Sequence, residues 1–305
     1  MRVQARAIKK ACVGLGTNDS KLIDILTTRT KHQLQKIDDA YVYNYGCTIV
    51  SQIKDETSGN YKDFLCAMVT DKAKFDARLI NKSVAGWGTN EDLLTEIVCT
   101  RTNTELKLMK QAYYELYETE VLLDVMDDTS GDYGRLLTRI LQADRDEGGP
   151  EEVSEELAAE QAAQLVEAGE GKTGTDEDVF LDILCKASPA QCAAISAAHE
   201  EATGHSLKKA ISEEMGMWGE GDLKSALQML LFDRINVFAH LLHKAFKGLG
   251  TDESQVMRIL GGSDKPTLLA ISLAFEEQEG RPLEEAIDSE LSGDFRDCVI
   301  QWLTM

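Results

Sequence analysis

Four short segments of the chain join glycine to threonine and acid: Gly-Leu-Gly-Thr-Asn-Asp from Gly14, Gly-Trp-Gly-Thr-Asn-Glu from Gly86, Lys-Thr-Gly-Thr-Asp-Glu from Lys172 and Gly-Leu-Gly-Thr-Asp-Glu from Gly248. Counted from the glycine before each threonine (Gly16, Gly88, Gly174, Gly250), the fortieth residue is an acid in every copy: Glu56, Asp128, Glu214 and Glu290. Glycine turns let several carbonyls face one concavity, because glycine tolerates dihedrals that other residues resist. Calcium takes six to eight oxygen ligands at flexible angles and accepts main-chain carbonyls readily. Three carbonyls and one bidentate carboxylate would supply five oxygens, leaving positions for water or for a lipid phosphate or carboxylate. Such a half-filled site binds calcium weakly alone and better against a membrane. The alternative is that the acids cap helices at structural turns. Three of them do precede Ser-Gly, at Glu56, Asp128 and Glu290, which reads as a turn opening the next helix. Four acids in register with four such loops favour calcium.

The elements that must position these groups repeat with them. The four glycines are 72, 86 and 76 residues apart. Six, nine and ten residues downstream lie Leu22, Ile25 and Leu26; Leu94, Ile97 and Val98; Phe180, Ile183 and Leu184; Val256, Ile259 and Leu260. Those offsets share one face of a helix. Alanine recurs 24 residues on, at Ala40, Ala112, Ala198 and Ala274. Thr17, Thr89, Thr175 and Thr251 read as helix N-caps, and Ile8, Ala11 and Cys12 suggest a helix ending at the first glycines. No useful period-2 strand appears, so the class is all-α, built of stacked helical repeats. The expected boundaries are 1–68, 69–142, 155–230 and 231–305. Residues 143–154 (Gly148, Gly149 and Pro150 among them) would connect two halves or serve as a flexible acidic linker.

Composition narrows the partners. Net charge is −21 over 305 residues, so there is no basic surplus to neutralise nucleic-acid phosphates. An acidic protein that meets anionic lipid needs a multivalent cation between them; a solvated acidic surface is the plainer account. The seven cysteines are scattered without a CxxC pair, which reads as a reduced intracellular protein. No apolar run reaches 18 residues and no signal peptide is visible, so any membrane contact should be peripheral and cytoplasmic, at the inner face of the plasma membrane or on another membrane. Gly171-Lys172-Thr173 lacks the upstream glycine of a phosphate-binding loop, since Val166 stands there. His199, His205, His240 and His243 have no HExxH spacing and read as half-buried or surface residues. Nothing argues for an enzyme.

The loops, the offset acids and the four tandem copies closely resemble the annexin family, over essentially the whole chain. That resemblance implies right-handed superhelical repeats, four of about five helices each, in a slightly curved disc with calcium loops on its convex face. It implies reversible, calcium-dependent binding to acidic, phosphatidylserine-like phospholipid by a protein monomeric in solution and able to assemble on the membrane. Carried over by position, repeat 1 would use the carbonyls of Cys12, Gly14 and Gly16 with Glu56. Repeat 2 would use Val84, Gly86 and Gly88 with Asp128, and repeat 4 Phe246, Gly248 and Gly250 with Glu290. In repeat 3 a variant loop would supply Gly169, Lys172 and Gly174 with Glu214. There the Ser-Gly turn is missing and about four residues are inserted between Met215 and Gly221, so Glu213 and Glu220 are alternatives to Glu214. The loop tips Leu15, Trp87, Thr173 and Leu249 would meet the headgroups, where Trp is favoured, unless Trp87 packs under its own loop. The Thr-Arg-Thr of residues 28–30 and 100–102 is replaced at 186–188 and 262–264, which should touch turns rather than calcium. The rival role is a structural protein on the same scaffold, with a cytoskeletal partner.

Overall fold

The structure, a computed structural model, describes residues 1–13, 16–86, 88–169, 175–215, 221–248 and 250–305. Among them every regular element is helical. The α-helices fall into four sets of five, with one 3-10 turn, Pro150–Glu152, between the second and third sets. The first is α1 (Arg2–Ala11), α2 (Asp19–Thr27), α3 (Lys31–Tyr45), α4 (Ile49–Glu56) and α5 (Gly59–Val69). The second is α6 (Lys72–Val84), α7 (Glu91–Thr100), α8 (Asn103–Tyr117), α9 (Val121–Asp128) and α10 (Gly131–Leu141). The third is α11 (Glu155–Gly169), α12 (Glu177–Leu184), α13 (Pro189–Thr203), α14 (Leu207–Glu214) and α15 (Gly221–Leu230). The fourth is α16 (Arg234–Phe246), α17 (Glu253–Val256, running into a π-helical turn, Met257–Gly261), α18 (Lys265–Glu279), α19 (Leu283–Glu290) and α20 (Gly293–Thr304). They condense into two compact units, one of Met1–Phe75 with Phe238–Met305 and one of Asp76–Val237.

The third helix of each set has the same ends. Thr30, Thr102, Ser188 and Asp264 accept a hydrogen bond from the main chain three residues on. Each helix stops at a left-handed residue, Gly46, Glu118, Gly204 or Gly280. The altered triplets at 186–188 and 262–264 therefore keep their capping oxygen, which satisfies an otherwise orphaned N–H.

The helix after each loop starts one residue later than the sequence pattern suggests. Asn18, Asn90, Asp176 and Asp252 occupy the N-cap positions, not Thr17, Thr89, Thr175 and Thr251. The Asn18, Asn90 and Asp252 side chains accept from the backbone N–H of Lys21, Leu93 and Gln255. The threonine hydroxyls are committed to the distant acids instead.

In the unit of Met1–Phe75 and Phe238–Met305, Leu22, Leu26, Val256 and Leu260 are fully buried as the periodicity predicts, while Ile25 is half-buried. The helix α5 packs against the π-helical turn. A Cβ on Gly261 would lie 2.9 Å from the Ala67 Cβ, so only glycine permits that approach. The buried Trp302 indole donates to the Leu260 carbonyl at 3.0 Å.

In the unit of Asp76–Val237, α7 packs on α15 and α11 on α13, around Leu94, Ile97, Val98, Phe180 and Leu184. Arg101 makes a bidentate pair with Asp76, Nε to Oδ2 at 2.8 Å and Nη2 to Oδ1 at 2.9 Å, with both side chains buried. The segment at 143–154, between the second and third sets, is held in place by specific hydrogen bonds. It lies within one unit, pinned by Arg145 Nε to the Ala187 carbonyl and Nη2 to the Leu230 carbonyl, both at 2.8 Å, and by Asp146 N to the Lys186 carbonyl at 2.9 Å. His199 is also more deeply placed than expected, at 1% exposure. It takes the register position held by the buried rings of Tyr41, Tyr113 and Phe275 in the other sets.

Candidate metal centres

Each loop is closed by one main-chain hydrogen bond. The N–H of Asn18, Asn90, Asp176 and Asp252 donates back to the carbonyl of Ala11, Ser83, Ala168 and Ala245, at 2.8, 2.8, 3.0 and 3.0 Å. The span is seven residues in sets 1, 2 and 4 and eight in set 3, so the variant loop is one residue longer. Closing so short a turn forces left-handed backbone: φ is +85° at Gly16, +116° and +85° at Gly86 and Gly88, and +145° and +96° at Gly248 and Gly250. A Cβ at Gly88 would touch nothing within 4 Å, so the requirement there is conformational, not steric crowding.

The acids come from the far end of each set. Glu56, Asp128, Glu214 and Glu290 are the last residues of α4, α9, α14 and α19. After three of them the chain turns through Ser58-Gly59, Ser130-Gly131 and Ser292-Gly293, with φ between +62° and +63° at the glycines. The serines stand at the N-cap positions of α5, α10 and α20, though their hydroxyls make no capping bond.

The loop threonine ties loop to acid in every set. Thr89 Oγ1 donates to Asp128 Oδ2 at 2.6 Å, Thr175 Oγ1 to Glu214 Oε2 at 2.9 Å and Thr251 Oγ1 to Glu290 Oε2 at 3.1 Å. Thr17 Oγ1 instead reaches the Glu56 main-chain oxygen, at 3.0 Å. All four pairs are 39 residues apart. In set 3 this contact falls on Glu214, while Glu213 turns to Lys209 at 3.6 Å and Glu220 lies outside the described residues. Gly169 packs on the same acid, since a Cβ there would sit 3.2 Å from the Glu214 Cγ.

The donors brought to these places are hard oxygens. Among the described residues no three His, Cys, Asp or Glu side chains cluster as a metal cage. One carboxylate with main-chain carbonyls is a set that would suit calcium rather than a thiolate- or imidazole-seeking metal. Burial and the nearby Glu56 carboxylate push the Cys12 thiol up to about 11, which keeps it protonated near neutral pH. Of the residues singled out in the sequence, Cys12, Gly16, Val84, Gly86, Gly88, Gly169, Phe246, Gly248, Gly250 and the four acids are described. Gly14, Lys172 and Gly174 lie outside the described residues, as do the loop tips Leu15, Trp87, Thr173 and Leu249.

The first and fourth centres open on one cavity of about 580 Å³, lined among others by Asp19, Glu56, Glu253, Glu290 and Asp294. Burial and the Asp294 charge raise the Asp19 carboxyl above its ordinary range. In the other unit, burial and the charges of Glu91 and Asp92 do the same to Asp222. Local negative potential of this kind favours a divalent cation. Sequence reasoning missed the true partner of each loop threonine, although its fixed spacing to the acid was visible. It also missed the side chains behind Glu56, which no repeat pattern marks.

The comparisons with known proteins agree with this fold. The annexin family profile matches residues 3–68, 75–140, 161–230 and 237–302. Annexin A13 of Homo sapiens is 37% identical over 302 residues, covering 98% of this chain and 94% of that relative. Among solved structures, annexin III superposes with a TM-score of 0.92 at 35% identity, over 100% of this chain and 94% of the other. A calcium-bound annexin (Sm)1 superposes with a TM-score of 0.83 at 27% identity, over 100% and 90%. Four matched segments, each carrying one closed glycine loop and the acid its threonine addresses, show that the chain belongs to the annexin family.

Proposed function

We propose that this protein binds acidic phospholipid surfaces through calcium ions held at the four loops, each ion bridging protein oxygens to a lipid phosphate or carboxylate. The observation that carries the reading is the threonine contact between every loop and its acid, 39 residues apart in all four sets. In sets 1, 2 and 4 it brings the acid beside a turn whose described glycines are already left-handed, which supports ligands that need little rearrangement. The site residues are those named from the sequence: Cys12, Gly14, Gly16 and Glu56; Val84, Gly86, Gly88 and Asp128; Gly169, Lys172, Gly174 and Glu214; Phe246, Gly248, Gly250 and Glu290.

The charge of −21 supports an ion-bridged attachment over direct contact, because acidic lipid and acidic protein repel. Among the described residues no helix is long and apolar enough to cross a membrane, which fits attachment at the surface. Leu15, Trp87, Thr173 and Leu249 would meet the headgroups. Several weak sites engaging one membrane would act together, since the first contact raises the effective concentration for the rest.

The test is co-sedimentation with phosphatidylserine vesicles in calcium and in chelator. Sedimentation only with calcium supports the reading. The chain with Glu56→Gln, Asp128→Asn and Glu290→Gln together should stay in the supernatant while keeping its helical circular dichroism. Undiminished binding by that triple variant would overturn the site assignment.

A further inference from the structure

The first centre differs from the others behind its acid. Gln52, one turn before Glu56 on α4, is buried at 6% exposure. Its Nε2 donates to Glu56 Oε1 at 3.0 Å. Its Oε1 accepts from Lys9 Nζ of α1 at 2.6 Å and from the buried Tyr41 hydroxyl of α3 at 3.0 Å. A lysine ammonium can only donate, so the amide oxygen must face Lys9 and the NH2 group must face Glu56. Three elements thus converge on one amide and fix the direction of its grip on the acid.

The same place in the other sets holds no such donor. Thirty-six residues after the second loop glycine stand Asp124, Ala210 and Ala286, where set 1 has Gln52. In those sets the cap carboxylate instead accepts the loop threonine hydroxyl. In set 1 the carboxylate is held from behind, by Gln52, and Thr17 reaches only the Glu56 main chain. A threonine donor sits on the loop that would hold the ion and draws its acid toward that loop, whereas the Gln52 donor sits on the acid's own helix, is anchored there from behind, and draws Glu56 Oε1 back along α4.

We propose that Gln52, anchored by Lys9 and Tyr41, is a positioning residue that restrains the Glu56 carboxylate and makes the first centre a weaker calcium site than the second and fourth. This rests on the calcium reading above. It gives the protein centres that fill in sequence, with the first engaging only when calcium rises further or when lipid supplies the missing oxygens.

The experiment uses the full chain with one centre left intact, the other three acids neutralised, and calcium titrated by calorimetry. In the chain retaining Glu56, Gln52→Met removes the amide while keeping nearly the same volume. Calcium affinity at the first centre should then rise roughly threefold to tenfold, the range expected for releasing one hydrogen bond to a charged group at a solvent-reached site. Tyr41→Phe, which loosens the anchor without changing charge, should act in the same direction and less strongly. In the chain retaining Asp128, Gln52→Met should leave affinity unchanged. A merely structural role for Gln52 would lower affinity at the first centre, since a loosened α4 holds Glu56 less well. No rise in the chain retaining Glu56, whether by equal affinity, by a fall or by absence of binding in both proteins, overturns the inference. If the unaltered chain with all four acids takes up no calcium, the calcium reading itself fails, and the two failures are thereby told apart.

Discussion

Replacing Thr89 by valine keeps the shape of the side chain and removes one hydroxyl. That hydroxyl lies 2.6 Å from Asp128 Oδ2 and 3.0 Å from the Asp128 main-chain oxygen. A hydrogen bond to a charged acceptor contributes about 1.5–3 kcal/mol net. Asp128 is half-buried, so water screens the bond and replaces part of it; about 1 kcal/mol is the working magnitude. With about 1.4 kcal/mol per factor of ten, calcium affinity at the second centre should fall roughly fivefold in Thr89→Val. The internal control is Thr17→Val. Its hydroxyl meets the Glu56 main chain and leaves the carboxylate alone, so the first centre should change by less than about twofold. Both are measured by calorimetric titration of chains retaining a single centre. Equal losses at the two centres, or tighter binding in Thr89→Val, would refute the idea that the threonine holds the acid ready for the ion.

Three further outcomes follow from other parts of the molecule. Gly261→Ala forces a Cβ to within 2.9 Å of Ala67 and should cost about 1–3 kcal/mol by overpacking, read as a lower thermal midpoint. Arg101→Met leaves Asp76 buried without its bidentate partner and should destabilise the fold by about 3–5 kcal/mol in urea titration, while adding Asp76→Leu should recover much of the loss. Burial lowers the Lys265 amine to about 8 from 10.5. Between those values the unfolded chain binds a proton that the native state has released, so this residue makes stability rise with pH across that window. Lys265→Met should flatten the rise in midpoint measured from pH 8 to pH 10, and an unchanged slope would argue that Lys265 is not the group responsible.

The sequence by itself determined the all-α class, the four repeats and the glycine loops, and it placed an acid at one fixed spacing from each loop. These rest on local rules. A 3.6-residue period reads out a buried face, and Leu22, Leu94, Phe180 and Val256 are indeed buried. A glycine pair in a short closed turn declares left-handed backbone, as Gly86 and Gly88 do. Identical spacing in four copies lets one repeat check another. Helix starts were less legible, because two adjacent polar residues compete to cap and only packing assigns them. Asn18 caps while Thr17 turns to Glu56. Tertiary structure alone decided the rest. It set the 143–154 segment inside one compact unit, through Arg145 and its distant carbonyl partners. It buried His199 where other repeats hold rings. It put Thr175 on Glu214 and Lys209 on Glu213. It also put Lys9 and Tyr41 on the oxygen of Gln52, a convergence of three helices that no pattern of spacing along one chain can announce. Contacts across 11 and 43 residues depend on how helices pack, and periodicity specifies which face is buried, not which polar atom meets it.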